Sequence, residues 1–195
     1  MNKKLLISFS GAQSTGKTTL LKALQECNDN VEFVPEVTRL IKKDYGVEIN
    51  EAGDEITQAL IVTEHFKNIQ NFKKQERSTI LDRCILDGLI YSMWLEDNKE
   101  LAPWCADYAV YIMVNYIDNY DVIFYTCPKD VEIVDDGERS TDKSFRDDII
   151  NNFNKWLETD PQLKDRVVVL SGTVEERLQT IKDTLAEKGL DINIK

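Results

Sequence analysis

Residues Gly11-Ala12-Gln13-Ser14-Thr15-Gly16-Lys17-Thr18-Thr19 satisfy the pattern G-x-x-x-x-G-K-S/T in full. The chemistry that this spacing serves is a grip on a chain of phosphates. Gly11 and Gly16 allow backbone angles that a Cβ would obstruct, so successive N–H groups converge on a phosphate at the positive end of the helix that follows. Lys17 is expected to bridge the β- and γ-phosphates of ATP and Thr18 to ligate Mg²⁺, with Ser14, Thr15 and Thr19 completing the set against the nucleotide.

A phosphate cradle does not name a reaction, so the residues that decide it must come from other strand ends. The segment Val34-Pro35-Glu36-Val37-Thr38-Arg39 follows the second apolar run, at the edge where open parallel sheets bind ligands. There Glu36 is read as the group that accepts a proton from an attacking hydroxyl or orients it, and Arg39 as a cation that reaches a phosphate. The plainer alternative is that Glu36 begins a helix and Arg39 pairs with it. Thr79-Ile80-Leu81-Asp82-Arg83 reads as a strand ending in a Walker-B-like acid. Asp82 would hold Mg²⁺ through water, and Arg83 would bind a substrate or the transferring phosphoryl group. Asp87 is read as facing solvent or capping Arg83.

The polar stretch at 128–146, with Arg139 and Arg146 among many acids, reads as a lid that closes on the phosphates, although a surface loop has a similar composition. His65, the only histidine, is read as structural, which leaves Ser-His or Cys-His nucleophilic catalysis without support. Trp94, Trp104 and Trp156 are read as core or pocket walls.

These residues need a scaffold, and the order of patterns supplies one. Short β-branched runs at 4–10, 31–34, 78–82, 121–126 and 166–170 alternate with amphipathic segments, as in a parallel sheet covered on both faces. The longest helix is predicted over 51–75, with Ile56, Ala59, Leu60, Thr63, Phe66 and Ile69 forming its core face. Further helices are predicted over 86–96, 103–117, 143–157 and 174–188, the last opened by a capping box of Thr173 and Glu176.

The 195 residues suit one α/β domain spanning 1–195. Hydrophobic content of 42% and charged content of 30% are ordinary for a soluble globular chain. No stretch approaches a membrane span, and Met1-Asn2-Lys3-Lys4 does not resemble a signal peptide, so a cytoplasmic location is expected. Cys27, Cys84, Cys105 and Cys127 are too scattered for a zinc site and suit reduced thiols. A formal charge of −11 leans against a nucleic-acid partner.

Taken together, the run Ser10 to Thr19, Pro35-Glu36 with Arg39, the strand ending in Asp82, and Asp135-Asp136-Gly137-Glu138-Arg139 resemble the AAA-type P-loop ATPase/kinase domain found in the ribosylnicotinamide kinase part of bacterial NadR proteins. The resemblance covers nearly the whole chain, including Leu170-Ser171-Gly172-Thr173 with Glu176-Arg177, which is similar to the loop that lies against adenine in this kinase superfamily. It implies a three-layer P-loop NTPase fold with five parallel strands in the order 2-3-1-4-5. It also implies an ATP-dependent kinase acting on the 5′-hydroxyl of a nucleoside-like substrate. Catalytic roles would fall to Lys17, Glu36, Asp82, Arg83 and Arg139, nucleotide contacts to Arg139 and Gly172, and acceptor contacts to Glu36, Arg39 and Arg83.

No fused adenylyltransferase or DNA-binding domain is expected beside this chain, which would be a departure from that family. Its Asp82-Arg83-Cys84 is also similar to the Asp/Glu-Arg-Ser signature of deoxynucleoside kinases. The acceptor is therefore left open between a nucleoside and a deoxynucleoside monophosphate, and a homodimer is one assembly consistent with the reading. Freestanding proteins of this appearance occur in bacteriophages, which keeps a viral role in nucleotide metabolism, in the host cytoplasm, in view. The competing classes are a GTPase switch, which the absence of an N-K-x-D motif opposes, and a kinase of polynucleotide ends or modified DNA bases. An ATPase motor would need a further helical domain.

Overall fold

The computed structural model describes residues 4–99, 101–126 and 142–194. The apolar run after Lys4 forms β1 (Leu6–Ser10), all of it buried. Around it pair β2 (Glu32–Val34), β3 (Thr79–Asp82), β4 (Val122–Thr126) and β5 (Val167–Leu170), in the order β2-β3-β1-β4-β5 with every pairing parallel. The five strands and their order are those expected, and their bounds agree within two residues.

Eight α-helices are found among the described residues: α1 (Lys17–Gln25), α2 (Val37–Tyr45), α3 (Glu55–Lys74), α4 (Ile85–Lys99), α5 (Trp104–Tyr116), α6 (Lys143–Thr159), α7 (Pro161–Lys164) and α8 (Val174–Glu187). The pleat of β1 divides its side chains between two cores. Leu6, with Leu81 and Ile123, packs against Ile69, Leu89, Met113 and Ile149 from α3, α4, α5 and α6. Ile7 and Phe9, with Ile80 and Phe124, pack against Leu20, Leu24, Ile181 and Leu185 from α1 and α8. Helices therefore cover both faces, giving three layers. A small third cluster joins Val37 and Ile41 of α2 to Ile61 of α3.

Local chemistry sets the helix ends. Asp54 accepts the Thr57 N–H at 2.7 Å to open α3. Thr173 and Glu176 form the expected reciprocal box at the start of α8, with the Thr173 N–H donating to Glu176 Oε2 at 2.8 Å and the Glu176 N–H to Thr173 Oγ1 at 3.3 Å.

Several expectations need correction. The buried face of α3 is Thr57, Gln58, Ile61, Val62, His65, Ile69 and Phe72, so of the expected core face only Ile69 is buried, and Ile56 is exposed. The helix is rotated from its apolar reading because polar side chains, Gln58 and His65 among them, turn inward toward a cavity described below. Lys143 to Arg146, read both as the end of the lid and as the start of a helix, form the first turn of α6, capped by Asp142 Oδ1 at 2.8 Å from the Ser144 N–H. Residues 128–141 of that segment, Arg139 among them, lie outside the described residues, as does Cys127. No helix among the described residues is long and apolar enough to cross a membrane.

Candidate functional site

The strand order reverses at β1, whose neighbours are β3 and β4, and ligands of open α/β sheets gather at the carboxyl end of such a point. The chain leaves β1 through Gly11, at φ +130°, where a Cβ would stand 2.9 Å from Thr126 Oγ1 and 3.1 Å from the Thr126 carbonyl oxygen. Only glycine lets the loop pass under β4 here. Ser14 at φ 55° and Gly16 at φ 87° hold further left-handed turns, and the Thr15 and Thr126 hydroxyls lie 2.6 Å apart beneath them. Gly16 caps α1 with backbone alone, so the first turn of the helix presents N–H groups rather than a capping side chain.

Lys17 is buried, and its Nζ donates to the carbonyls of Gly11 at 2.8 Å and Ala12 at 2.6 Å. Burial, then the charge of Arg83, lowers its pKa to about 7. Ser14 Oγ is buried and has no partner among the described residues. A left-handed loop, a buried lysine and an unpartnered hydroxyl at a helix start suit a polyphosphate. Thr18 and Asp82 line the same cavity with Lys17. A hydroxyl and a carboxylate suit Mg²⁺, which takes few protein oxygens and completes its octahedron with phosphates and water.

Beside this cradle lies a charged knot that joins three segments. Arg83 Nε donates to Glu36 Oε1 at 2.6 Å, and Nη1 donates to the Gly11 carbonyl at 3.1 Å and to Asp87 Oδ1 at 3.0 Å. The guanidinium lies 5.4 Å from the ring centre of Tyr91. Glu36 sits at the N-cap of α2, yet its side chain makes no capping bond. It accepts from Arg83 instead, and from Arg39 Nε at 3.1 Å. The alternative reading of Glu36 as a helix opener paired with Arg39 thus describes part of what is seen.

Asp87 is the residue the sequence undervalued. It does not face solvent: it is 2% exposed. One oxygen, Oδ2, accepts the Ser10 hydroxyl at 2.8 Å and the Cys84 N–H at 3.0 Å, while Oδ1 accepts the Gly11 N–H at 3.3 Å besides Arg83. The signal was present, since Asp87 follows Arg83 by four residues, the spacing of a helical ion pair.

The electrostatics follow from this crowding. Burial would raise the Glu36 pKa, but the charge and hydrogen bond of Arg83, with help from Lys17 and Arg39, hold it at about 2. Asp82 moves the other way, to about 6, through burial and then repulsion by Glu36. Burial also works against the charge on Arg83, but Tyr91, Glu36, Asp87 and Asp82 keep the guanidinium protonated.

Behind the Glu36–Arg83 pair lies a second cavity, lined among others by Gln58, Ile61, His65, Asp87 and Tyr91. Glu36 and Arg83 border both cavities. Gly88 lets α4 approach α3 here, since a Cβ would meet Val62 Cγ2 at 3.1 Å. The Tyr91 hydroxyl donates to Gln13 Oε1 at 3.1 Å, tying the wall of this cavity to the phosphate loop. Arg39 lines a further cavity, which shares Glu36, Thr38, Asn50 and Arg83 with this one.

The structure therefore brings Ser14, Thr15, Lys17, Thr18, Glu36, Asp82 and Arg83 around one cavity. Thr19 is exposed on α1. Gly172, at φ +87°, lies in the loop after β5 and is joined to the phosphate loop by Arg177, whose Nε donates to the Gly172 carbonyl and Nη1 to the Thr15 carbonyl, both at 3.0 Å. Arg146, buried on α6, reaches the Ser14 carbonyl at 3.5 Å. Gln58, Tyr91 and the clamping role of Arg177 had no motif to mark them. Trp94 is buried, with Nε1 donating to Asp148 Oδ2 at 3.1 Å, whereas Trp104 is 46% exposed.

Solved structures of similar fold include the NadR protein in complex with NR, at 19% identity and TM-score 0.73, matching 97% of this chain and 53% of that one. The chain thus spans about half of that protein. Thymidylate kinase from Candida albicans is similar at 15% identity and TM-score 0.68, over 98% of each chain. Deoxyadenosine kinase from M. mycoides, solved with dCMP and a flexible dCDP, is similar at 14% identity and TM-score 0.67, over 94% of this chain and all of that one. No curated protein matches the sequence. The fold is that of the kinase-like P-loop NTPases, and because the family model described as AAA domain matches residues 6–177, the chain belongs to that family.

Proposed function

We propose that the chain is an ATP- and Mg²⁺-dependent phosphotransferase whose acceptor is a hydroxyl of a small nucleoside-like molecule held in the second cavity. The observation that carries this reading is the Glu36–Arg83 pair, which forms the wall between the phosphate cradle and that cavity. A phosphoryl group leaving the cradle would meet an acceptor hydroxyl at this wall. The NR bound to the NadR protein and the deoxynucleotides bound to deoxyadenosine kinase support the acceptor class.

In this reading the loop from Gly11 to Gly16, with Lys17, Thr18 and Thr19, holds the phosphates, and the Gly172 loop lies against the base of ATP. Thr18 and Asp82 would hold Mg²⁺, which when bound neutralises charge on the β- and γ-oxygens. Glu36, with its pKa near 2, is a permanent anion at physiological pH. It orients the hydroxyl and takes its proton only late, as suits a loose transition state in which the nucleophile needs little activation. Arg83 neutralises charge on the transferring group, helped by Arg39 and Arg146 and, outside the described residues, by Arg139 in a closing segment that precedes α6. A single domain over 1–195 that works in the cytoplasm, on a small molecule rather than nucleic acid, is part of the same proposal. Arg39, which lines the cavity that shares Glu36, Thr38, Asn50 and Arg83 with the second cavity, favours a second reading, in which the acceptor is a deoxynucleoside monophosphate whose phosphate pairs with it.

The test compares wild type with Lys17→Ala and Glu36→Gln for ATP consumption that depends on added nucleoside. Loss in both variants, with ATP binding kept in Glu36→Gln, is the expected pattern. Nucleoside-dependent turnover surviving in Lys17→Ala sinks the proposal.

A further inference from the structure

We propose that His65 and Gln58 form the recognition floor of the second cavity, reading a neutral, planar group of the acceptor that offers both hydrogen-bond donors and acceptors, such as the amide-type edge of a nucleobase or a carboxamide. The inference rests on the reading of that cavity as the acceptor site.

Its ground is a set of buried polar atoms left waiting. His65 is 0% exposed and Gln58 1%. Neither ring nitrogen of His65, nor Gln58 Oε1, has a hydrogen-bond partner among the described residues, and both side chains line the cavity. Each such atom destabilises the fold if it stays unsatisfied, a penalty that an apolar residue of similar volume would avoid. A buried side chain that serves the fold shows the contrast. Asn28, equally buried, donates to the Leu24 carbonyl at 2.7 Å and the Asn193 carbonyl at 3.0 Å, and accepts the Asn193 N–H at 2.8 Å.

The placement of the two residues limits what they can read. They are seven positions apart on α3, so they share a face and stand about 10 Å apart along the axis, with the apolar Ile61 between them. A flat group lying along this face would cover Ile61 and offer polar atoms to either end. Burial holds the His65 imidazole neutral, with its pKa lowered to about 4. The ring therefore presents one donor and one acceptor, and Gln58 Oε1 adds a second acceptor. Glu36 and Asp87 set two carboxylates against the one guanidinium of Arg83 along the cavity wall, which disfavours an anionic group on the floor.

His65 is the only histidine, so its ring nitrogens give the only imidazole signals in a nitrogen-15 spectrum of the wild-type protein. Nicotinamide riboside, thymidine, deoxyadenosine and deoxycytidine would each be titrated with and without ADP and Mg²⁺. One of the four is expected to move the His65 ring-nitrogen resonances, and ADP with Mg²⁺ alone is not. His65→Phe and Gln58→Leu should then raise KM for that nucleoside at least ~10-fold, with KM for ATP nearly unchanged. Phosphorylation of a nucleoside without any movement of the ring nitrogens overturns this inference and leaves the phosphotransferase standing. Movement of the ring nitrogens without phosphorylation supports the floor and removes the reaction. Silence of the ring nitrogens toward all four, with no turnover, overturns both. The spectrum needs no variant, so a folding defect in either substitution does not blunt the test.

Discussion

Arg83 Nε lies 2.6 Å from Glu36 Oε1, so the residue that follows β3 is bonded to the residue at the start of α2, just beyond the neighbouring strand β2. To make this bond Arg83 adopts φ 74°, a left-handed conformation that costs a residue with a Cβ about 1–2 kcal/mol. That cost is offset by the carboxylates of Glu36 and Asp87 and by the Gly11 carbonyl, all of which the guanidinium reaches at once.

Arg83→Ala should therefore damage fold and function together. Removing one partner of a buried ion pair leaves uncompensated charge and costs about 3–5 kcal/mol. Denaturant unfolding is expected to show a loss of that order. Arg83→Lys, which keeps the charge but not the planar fork, should lose less stability while turnover falls by about 100-fold. A stability change under about 1 kcal/mol in Arg83→Ala would mean that the knot is not what holds the loop.

Glu36→Gln keeps the shape and removes the anion. Because the Glu36 pKa is lowered to about 2 in the fold from an ordinary 4.5, it contributes stability that is fully present above about 4.5 and is lost as pH falls toward 2. The variant should lack that part of the acid unfolding slope. Its turnover should fall far more than its affinity for ATP, measured by steady-state kinetics beside direct binding. Unchanged turnover would make Glu36 purely structural.

Asp82→Asn carries the opposite sign. The Asp82 pKa is raised to about 6 from 3.8, so the folded chain holds this proton more tightly than the unfolded one, and stability falls as pH rises from about 4 to 6. Without metal or nucleotide the variant should be more stable than wild type at pH 7.5, by roughly 1–3 kcal/mol, with the difference closing below pH 4. Mg²⁺ with ADP should raise the melting temperature of wild type more than that of the variant. A variant less stable than wild type at pH 7.5 would contradict the strain assigned to this carboxylate.

The parts of the site that were legible in the sequence are local ones. Gly11, Gly16 and Lys17 act through backbone and spacing within one turn of chain, and Asp82 marks the end of an apolar run. Asp87 was legible only as a partner of Arg83, and His65 and Gln58 were not legible as site residues, because their importance comes from burial. A polar residue on a helix looks solvent-facing until the neighbouring helix is in place, and here the close approach of α4 at Gly88 encloses them. The same inward polar face explains why the apolar pattern of α3 gave the wrong rotation: Ile56 and Leu60 fit the period, while Thr57 and His65 fill the interior. Arg177 was noted only beside the loop after β5, and its clamp on the phosphate loop was not legible because the partner, Thr15, is more than 160 residues away.

Lys17 gives a thermodynamic signature for phosphate binding. With its pKa lowered to about 7 by burial, the amine is largely neutral at pH 8, and a bound polyphosphate should restore its charge. Nucleotide binding at pH 8 should take up close to one proton, about 0.9 from the titration alone. Calorimetry in buffers of different ionisation enthalpy reads this directly. Lys17→Ala should lose both the affinity and the buffer dependence, and a binding enthalpy independent of buffer in wild type would contradict the assignment.

The decisive measurement is ATP consumption with Mg²⁺ by the purified protein against nicotinamide riboside, deoxynucleosides and deoxynucleoside monophosphates, with mass detection of products. One acceptor is expected to gain a single phosphoryl group in step with ADP formation, and Lys17→Ala is expected to form none. Confirmed ATP binding with only slow hydrolysis, and no phosphorylated product anywhere in the panel, would contradict a small-molecule phosphotransferase.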